Sequence, residues 1–243
     1  MSTAPRLFLN INLAQENEFV LTEQPFHYLI NVLRLSCGDV FLAFDNQNGE
    51  FECQITHVEK KKLNASILQK TREFEPSPDV WLLFAPVKKD KTDFIIEKAT
   101  ELGVRKIIPV LTQRTICSKT KTERFEAQAR EACEQCRRVD VPQIEEEVQL
   151  SKILSNWDEK RLLFFMDESQ NGNCVFDVFS ENNGKPAALL VGPEGGFSPE
   201  EAKFIKSFSF TRSISLGKRI LRAETAAAAA LSCWQAFCGD WRK

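Results

Sequence analysis

At Glu75-Pro76-Ser77-Pro78-Asp79 the chain changes rhythm. Two prolines restrict the backbone there and polar neighbours discourage burial. A domain boundary is therefore expected, separating residues 1–74 from residues 75–243. Before it the pattern is β: Val40 to Phe44 is an apolar run, Asn46-Gln47-Asn48-Gly49 is turn chemistry, and Phe51 to Val58 tends to alternate apolar with polar. That predicts a hairpin in a small sheet or barrel. After it, strand-length apolar runs alternate with helical segments. The runs are Val80 to Ala85, Arg105 to Leu111, Leu162 to Met166, Ala187 to Val191 and Ser213 to Leu216. Phe94, Ile95, Ala99 and Leu102 share a helix face that Gly103 can end, and the polar stretch Thr120 to Arg138 suits another helix. Such alternation predicts an α/β fold, a mostly parallel sheet covered by helices. The five alanines Ala226 to Ala230 favour a closely packed helix over Glu224 to Phe237.

A net charge of −2 removes the argument for a globally basic nucleic-acid binder, so any such contact must come from a local cluster. Lys60-Lys61-Lys62, Lys88-Lys89 with Lys91, Arg137-Arg138, and Lys218-Arg219 with Arg222 are the candidates, although charge runs are ordinary solvated surface. No apolar run approaches the roughly 20 residues of a membrane span, and Met1 to Asn10 lacks signal-peptide chemistry. A cytoplasmic location is expected. The eight cysteines are read as reduced thiols, because a chain of this length and hydrophobic content needs no disulfide frame. Cys133-x-x-Cys136 has metal-ligand spacing but no second pair, and His27 and His57 are the only histidines. No metal is expected.

Two glycine loops carry the chemistry. The apolar run Ala187 to Val191 ends in Gly192-Pro193-Glu194-Gly195-Gly196-Phe197. A helix start follows, with Ser198 as cap, Pro199 in first position and Glu201 completing a capping box. A loop at a strand's carboxyl end is where open α/β sheets bind ligands. A phosphate cradle needs successive backbone N–H groups in neutral or positive surroundings, yet Pro193 removes a donor and Glu194 adds a negative charge. A phosphate-free cofactor with a positive centre, such as S-adenosylmethionine, fits better; a plain connecting turn is the alternative. The second loop, Gly217-Lys218-Arg219-Ile220-Leu221-Arg222-Ala223-Glu224-Thr225, places three cations and a carboxylate before the alanine helix. Its backbone near Gly217, Ile220 and Leu221 can grip an adenine edge while Arg222 and Glu224 face a polar reactant.

Together, Leu190 to Ser198 and Leu216 to Ala226 resemble the ribosomal small-subunit methyltransferase E family of the SPOUT superfamily. Further matches cover nearly the whole chain: His27 with Val32-Leu33-Arg34-Leu35, Glu97 to Val104, Gln113-Arg114, Glu134-Gln135-Cys136 with Arg138, and Val141-Pro142. The resemblance implies an N-terminal PUA-like β-barrel domain (1–74) that helps hold RNA. It implies a C-terminal SPOUT-type α/β domain (75–243) tied in a trefoil knot. It further implies a homodimer and S-adenosylmethionine-dependent methylation of N3 of a uridine in 16S rRNA. The cofactor pocket would take Leu190, Gly192, Pro193, Glu194, Gly195, Gly196, Leu216, Gly217, Ile220, Leu221, Arg222 and Ala226, with the segment after Leu162 to Met166. Arg34 and Arg138 would face RNA. Ala223 departs from the family, where threonine is common.

Alkylation at uracil N3 must align the nucleophile and remove the imide proton, which spreads negative charge onto the ring carbonyls. Arg222 or Arg114 can stabilise that charge, and Glu224 is the candidate proton acceptor or, alternatively, orients Arg222. The competing functions are a non-catalytic RNA-binding protein and a related methyltransferase acting on transfer RNA or another base.

Overall fold

The computed structural model describes residues 4–116, 121–169 and 172–242. Two compact units make up the chain: Met1–Pro76 with Cys133–Val141, and Ser77–Ala132 with Pro142–Lys243. The break between Pro76 and Ser77 lies inside the proline segment. The return of Cys133–Val141 to the first unit has no signal in the apolar pattern.

The first unit contains β1 (Arg6–Phe8), β2 (Glu18–Thr22), α1 (Glu23–Phe26) running into a π-helix (His27–Val32), β3 (Val40–Phe44), β4 (Glu50–Val58) and β5 (Lys62–Arg72). They form one sheet of order β1-β3-β4-β5-β2, antiparallel except for β1 with β3. The expected hairpin is β3–β4, in which Phe44 pairs with Glu50. Its turn is built by Asp45, whose carboxylate accepts the N–H groups of Gln47 and Asn48 at 3.0 and 2.8 Å. Three register shifts along β4–β5 bend the sheet into a curled half-barrel, because each bulge adds local twist. Inside it lie Leu29, Phe41, Ile55 and Leu63, all fully buried.

A buried arginine explains how Cys133–Val141 joins this unit. Arg6 Nε donates to Glu50 Oε2 at 2.6 Å, and the guanidinium lies 4.6 Å over the Phe44 ring. Its remaining donors reach the carbonyls of Cys133 (2.8 Å), Glu134 (3.1 Å) and Arg138 (3.1 Å). A guanidinium out of water is tolerated only with its charge and donors met in this way.

In the second unit come β6 (Val80–Phe84), α2 (Lys89–Glu101), β7 (Lys106–Leu111), α3 (Thr122–Cys136) up to Ala132, β8 (Gln143–Ile144), β9 (Val148–Gln149), α4 (Leu150–Ser155) and β10 (Leu162–Met166). They are followed by β11 (Asn173–Cys174), α5 (Val175–Glu181), β12 (Ala187–Val191), α6 (Pro199–Lys206), β13 (Thr211–Ser215), α7 (Ala223–Cys238) and a short 3-10 turn (Asp240–Arg242). The sheet is parallel, of order β11-β13-β10-β12-β6-β7-β8, with β9 pairing the far end of β7. Every residue of β10 and β12 is buried, which is why both read as unbroken apolar runs. The expected start of α3 at Thr120, and Cys117, lie outside the described residues.

The buried face of α2 is Thr92, Ile95, Ile96, Ala99 and Thr100, so Ile95 and Ala99 are buried as expected while Phe94 and Leu102 are not. Phe94 is 40% exposed, with the Lys98 ammonium 5.7 Å from its ring centre. The threonines can bury because their hydroxyls are satisfied locally. Thr100 donates to the Ile96 carbonyl at 2.8 Å, and Thr92 to that of Val87 at 2.9 Å. In α7, Ala227 and Ala230 are buried together with Leu231 and Trp234. Gln235, also buried, donates to the carbonyl of Leu102 at 2.6 Å and accepts from the Asp240 N–H at 3.1 Å, tying α7 to the end of α2.

Candidate functional site

Strands β13, β10, β12 and β6 are consecutive neighbours and parallel, so the four segments that follow them emerge side by side at one edge of the sheet. They enclose a cavity of about 470 Å³. After β6 come Lys88 and Lys91; after β12, Gly192, Pro193, Glu194 and Phe197; from β10, Met166 and Glu168; after β13, Ile220, Leu221 and Arg222, with Ala223 and Ala226 of α7. A smaller recess of about 50 Å³ adjoins it, lined by Asp167, Ile214, Leu216, Gly217 and Arg219. The two share Met166, Glu168, Ile220, Leu221 and Ala226.

The β12 loop is held by its own helix start. Ser198 Oγ accepts the Glu201 N–H and Glu201 Oε2 accepts the Ser198 N–H, both at 3.1 Å, with Pro199 in the first position as expected. Glu201 also works outward: its Oε1 accepts the Gln113 N–H at 2.7 Å. The next residue, Arg114, donates from Nη1 to the Gly195 carbonyl at 2.8 Å. The loop's glycines are not equivalent. A Cβ on Gly192 would meet the Phe197 ring at 2.6 Å. Gly196 has φ +66°, and a Cβ there would lie 1.6 Å from Glu168 Oε1. At Gly195 a Cβ would meet only Arg114 carbons at 3.7 Å, an ordinary contact. The β13 loop turns at Gly217 (φ +104°), and α7 begins where the Ala226 N–H meets the Arg222 carbonyl at 2.8 Å.

Of the residues expected at a cofactor site, Gly192, Pro193, Glu194, Ile220, Leu221, Arg222 and Ala226 line the main cavity, and Leu216 and Gly217 the recess. Leu190 is buried in β12 and belongs to the core beneath them. Gly195, Gly196 and Arg114 stand behind the lining, where they shape the loop. Glu224, in the first turn of α7, also lies off the lining, with Oε2 buried and, among the described residues, without a hydrogen-bond partner. Arg34 is exposed after the π-helix with φ +59°, a left-handed backbone uncommon for a side chain of its size. Arg138 is different: its side chain is 9% exposed and forms a two-pronged pair with Asp140, at 3.1 Å (Nε to Oδ1) and 3.0 Å (Nη2 to Oδ2). Burial and pairing turn that guanidinium inward.

Sequence reasoning named the segment after Leu162 to Met166, which holds Glu168, without singling that residue out; it did not name Phe197 as a lining residue and placed Lys88 and Lys91 only in a basic cluster. The Lys91 ammonium, hydrogen-bonded to Glu194, holds that carboxyl below its ordinary pKa, and Lys88 and Arg222 reinforce it. Three cations thus surround one carboxylate at the cavity. Ile220, 78% exposed, stands at the lip as an apolar side chain for a ligand to cover. Among the described residues, no group of His, Cys, Asp or Glu is arranged to hold a metal ion, and no helix is long and apolar enough to cross a membrane.

Fold and site define an RNA methyltransferase. The family profile described as RNA methyltransferase domain matches residues 75–235, and that described as RNA methyltransferase PUA domain matches residues 21–68. The ribosomal RNA small subunit methyltransferase E of Rickettsia conorii is 32% identical over 228 residues, covering 93% of each chain. The Bacillus subtilis protein of the same name is 30% identical over 242 residues, covering 93% of this chain and 94% of its own. Among solved structures, the methyltransferase E of Neisseria gonorrhoeae bound to S-adenosyl methionine superposes with a TM-score of 0.90 at 28% identity, covering 98% of this chain and all of that one. This chain belongs to the ribosomal RNA small subunit methyltransferase E family.

Proposed function

We infer that this protein transfers a methyl group from S-adenosylmethionine to N3 of a uridine in the 16S rRNA of the small ribosomal subunit. The observation that carries the inference is the convergence of four post-strand segments, including both glycine motifs, on one cavity. The residues present fit the cofactor. The volume of about 470 Å³ suits a ligand of that size, and the adjoining recess offers the apolar side chains of Ile214, Leu216 and Leu221 to adenine beside the polar Asp167 and Arg219. Bound there, S-adenosylmethionine supplies an electrophilic methyl group.

The chain's own residues do the rest. Arg222 lines the cavity and places its guanidinium to stabilise the charge that spreads onto the uracil carbonyls as N3 loses its proton. Glu224, two residues further on and off the cavity lining, is the acceptor we assign to that proton once its side chain turns into the cavity. Arg114 acts as a clamp on the glycine loop through Gly195. Because N3 is used in base pairing, the uridine must be unpaired or swung out to enter. The curled β sheet and exposed Arg34 serve as the RNA-holding part, and Lys88 faces the nucleotide at the cavity mouth. A homodimer, a cytoplasmic location and a SPOUT trefoil knot complete the proposal. The knot is supported by β13 inserting between β10 and β11 before the chain returns to the cavity with α7.

The test is methylation of 30S subunits or 16S rRNA with labelled cofactor, followed by nuclease digestion and mass spectrometry. A 3-methyluridine in 16S rRNA is expected. Transfer to another base or to transfer RNA, or cofactor binding with no transfer, would refute the substrate assignment.

A further inference from the structure

We propose that Glu168 is the residue that recognises the ribose of the cofactor, its carboxylate accepting hydrogen bonds from the sugar hydroxyls. This inference rests on the cofactor reading above. The argument is one of order along a ligand. Leu216, Ile214 and Leu221 give the small recess apolar walls beside Asp167 and Arg219, a seat for a flat base with polar edges. The group bonded to that base must lie at the junction of recess and cavity. Five residues line both spaces, and four of them, Met166, Ile220, Leu221 and Ala226, have apolar side chains. Glu168 alone brings a polar side chain to the junction. A carboxylate with two acceptor oxygens matches a vicinal diol, whose two hydroxyls can both donate to it.

The neighbouring carboxylates are already engaged. Asp167 is buried and held by Lys206 Nζ at 2.6 Å and Ser169 Oγ at 2.6 Å. Glu194 is paired with Lys91, and Glu201 caps α6 while holding Gln113. Glu168 has neither an ion pair nor a hydrogen bond among the described residues. Its carboxylate occupies the volume that a Cβ on Gly196 would need, with Oε1 at 1.6 Å and Oε2 at 2.5 Å from that point. The glycine therefore has a function beyond its φ of +66°, namely to seat this carboxylate at the junction.

The experiment compares S-adenosylhomocysteine with its 2′-deoxy and 3′-deoxy analogues by calorimetry on the whole protein and on Glu168→Gln, with thermal melts to verify folding. Removing a hydroxyl should weaken binding to the parent by about 10-fold, the scale of a hydrogen bond to a charged group. Glu168→Gln should bind the ribose form about 10-fold more weakly and should show a smaller deoxy penalty than the parent, because a neutral amide accepts through one oxygen only. An unchanged affinity in the variant overturns the proposal. So does a full deoxy penalty retained in Glu168→Gln, which would put the diol elsewhere. A loss confined to S-adenosylmethionine and absent for S-adenosylhomocysteine would make Glu168 a partner of the sulfonium instead. Should the parent bind neither nucleoside, the cofactor reading itself fails, and this inference with it.

Discussion

Replacing Gly196 with alanine separates two costs that the structure assigns to one position. The first is conformational: φ is +66°, and an L residue held in the left-handed region costs about 1–2 kcal/mol. That strain is present with or without ligand, so it reduces stability and leaves affinity untouched. In a chain of this size it should lower Tm by a few degrees, at roughly 2–4 °C per kcal/mol. The second cost is displacement. The new Cβ would lie 1.6 Å from Glu168 Oε1, so the carboxylate must leave its seat. If it holds the cofactor, a hydrogen bond to a charged group is lost, worth about 1.5–3 kcal/mol and about 10- to 100-fold in Kd. Gly195→Ala is the control. Its Cβ would stand 3.7 Å from Arg114 carbons and its backbone is not left-handed, so affinity should stay within about twofold of the parent. Calorimetry with S-adenosylhomocysteine and thermal melts of the three proteins measure both costs. Equal affinity of Gly196→Ala and parent, or an equally large loss in Gly195→Ala, would refute the reasoning.

Arg222→Ala should slow single-turnover methyl transfer by about 100-fold or more with little change in cofactor affinity, and Arg222→Lys should recover only part of the rate; a normal rate removes Arg222 from the mechanism. For Asp167, burial opposes the charge, but Lys206 and Ser169 outweigh it and the pKa is lowered. Such a carboxylate contributes stability that is full above its unfolded pKa and lost as pH falls through the folded one. Parent Tm should therefore fall as pH drops below about 4, while Lys206→Met should be less stable near neutrality and lose less on acidification; parallel acid slopes would contradict this. Burial, with Glu52 adding to it, pushes the Cys53 thiol up to about 12, and burial also raises Cys133. A short iodoacetamide pulse read by mass spectrometry should then mark the exposed Cys37 and Cys174 and spare both buried thiols, and rapid labelling of Cys53 would count against the core assignment.

What the sequence disclosed about the fold followed from burial. Strands β10 and β12 lie at the centre of the sheet, every residue is covered, and their apolar runs mark their ends. The face of α2 was misread where apolarity and burial part company: Thr92 and Thr100 bury with satisfied hydroxyls, while Phe94 stays at the surface under Lys98. The association of Cys133–Val141 with the N-terminal unit was not legible at all. It depends on Arg6 meeting carbonyls more than 120 residues away, and no local pattern encodes a pairing with main-chain acceptors.

The site shows the same division between what is local and what is not. Glycines in a loop announce a close approach, yet the sequence gives no means of ranking Gly192, Gly195 and Gly196; their neighbours, Phe197, Arg114 and Glu168, do that in three dimensions. The two arginines read as alternative charge stabilisers likewise separate only once the chain is folded. Glu201, legible as half of a capping box, also accepts the Gln113 N–H through its second oxygen, and Arg114 is thereby set against the Gly195 carbonyl. Its guanidinium is anchored to the loop. Arg222, by contrast, stands at the cap of α7 and lines the cavity, where it adds to the larger effects of Lys91 and Lys88 in lowering the Glu194 pKa. Because the Arg222 side chain lines the cavity while that of Arg114 is spent on the loop, we assign the stabilisation of charge on the uracil to Arg222 and the loop's rigidity to Arg114.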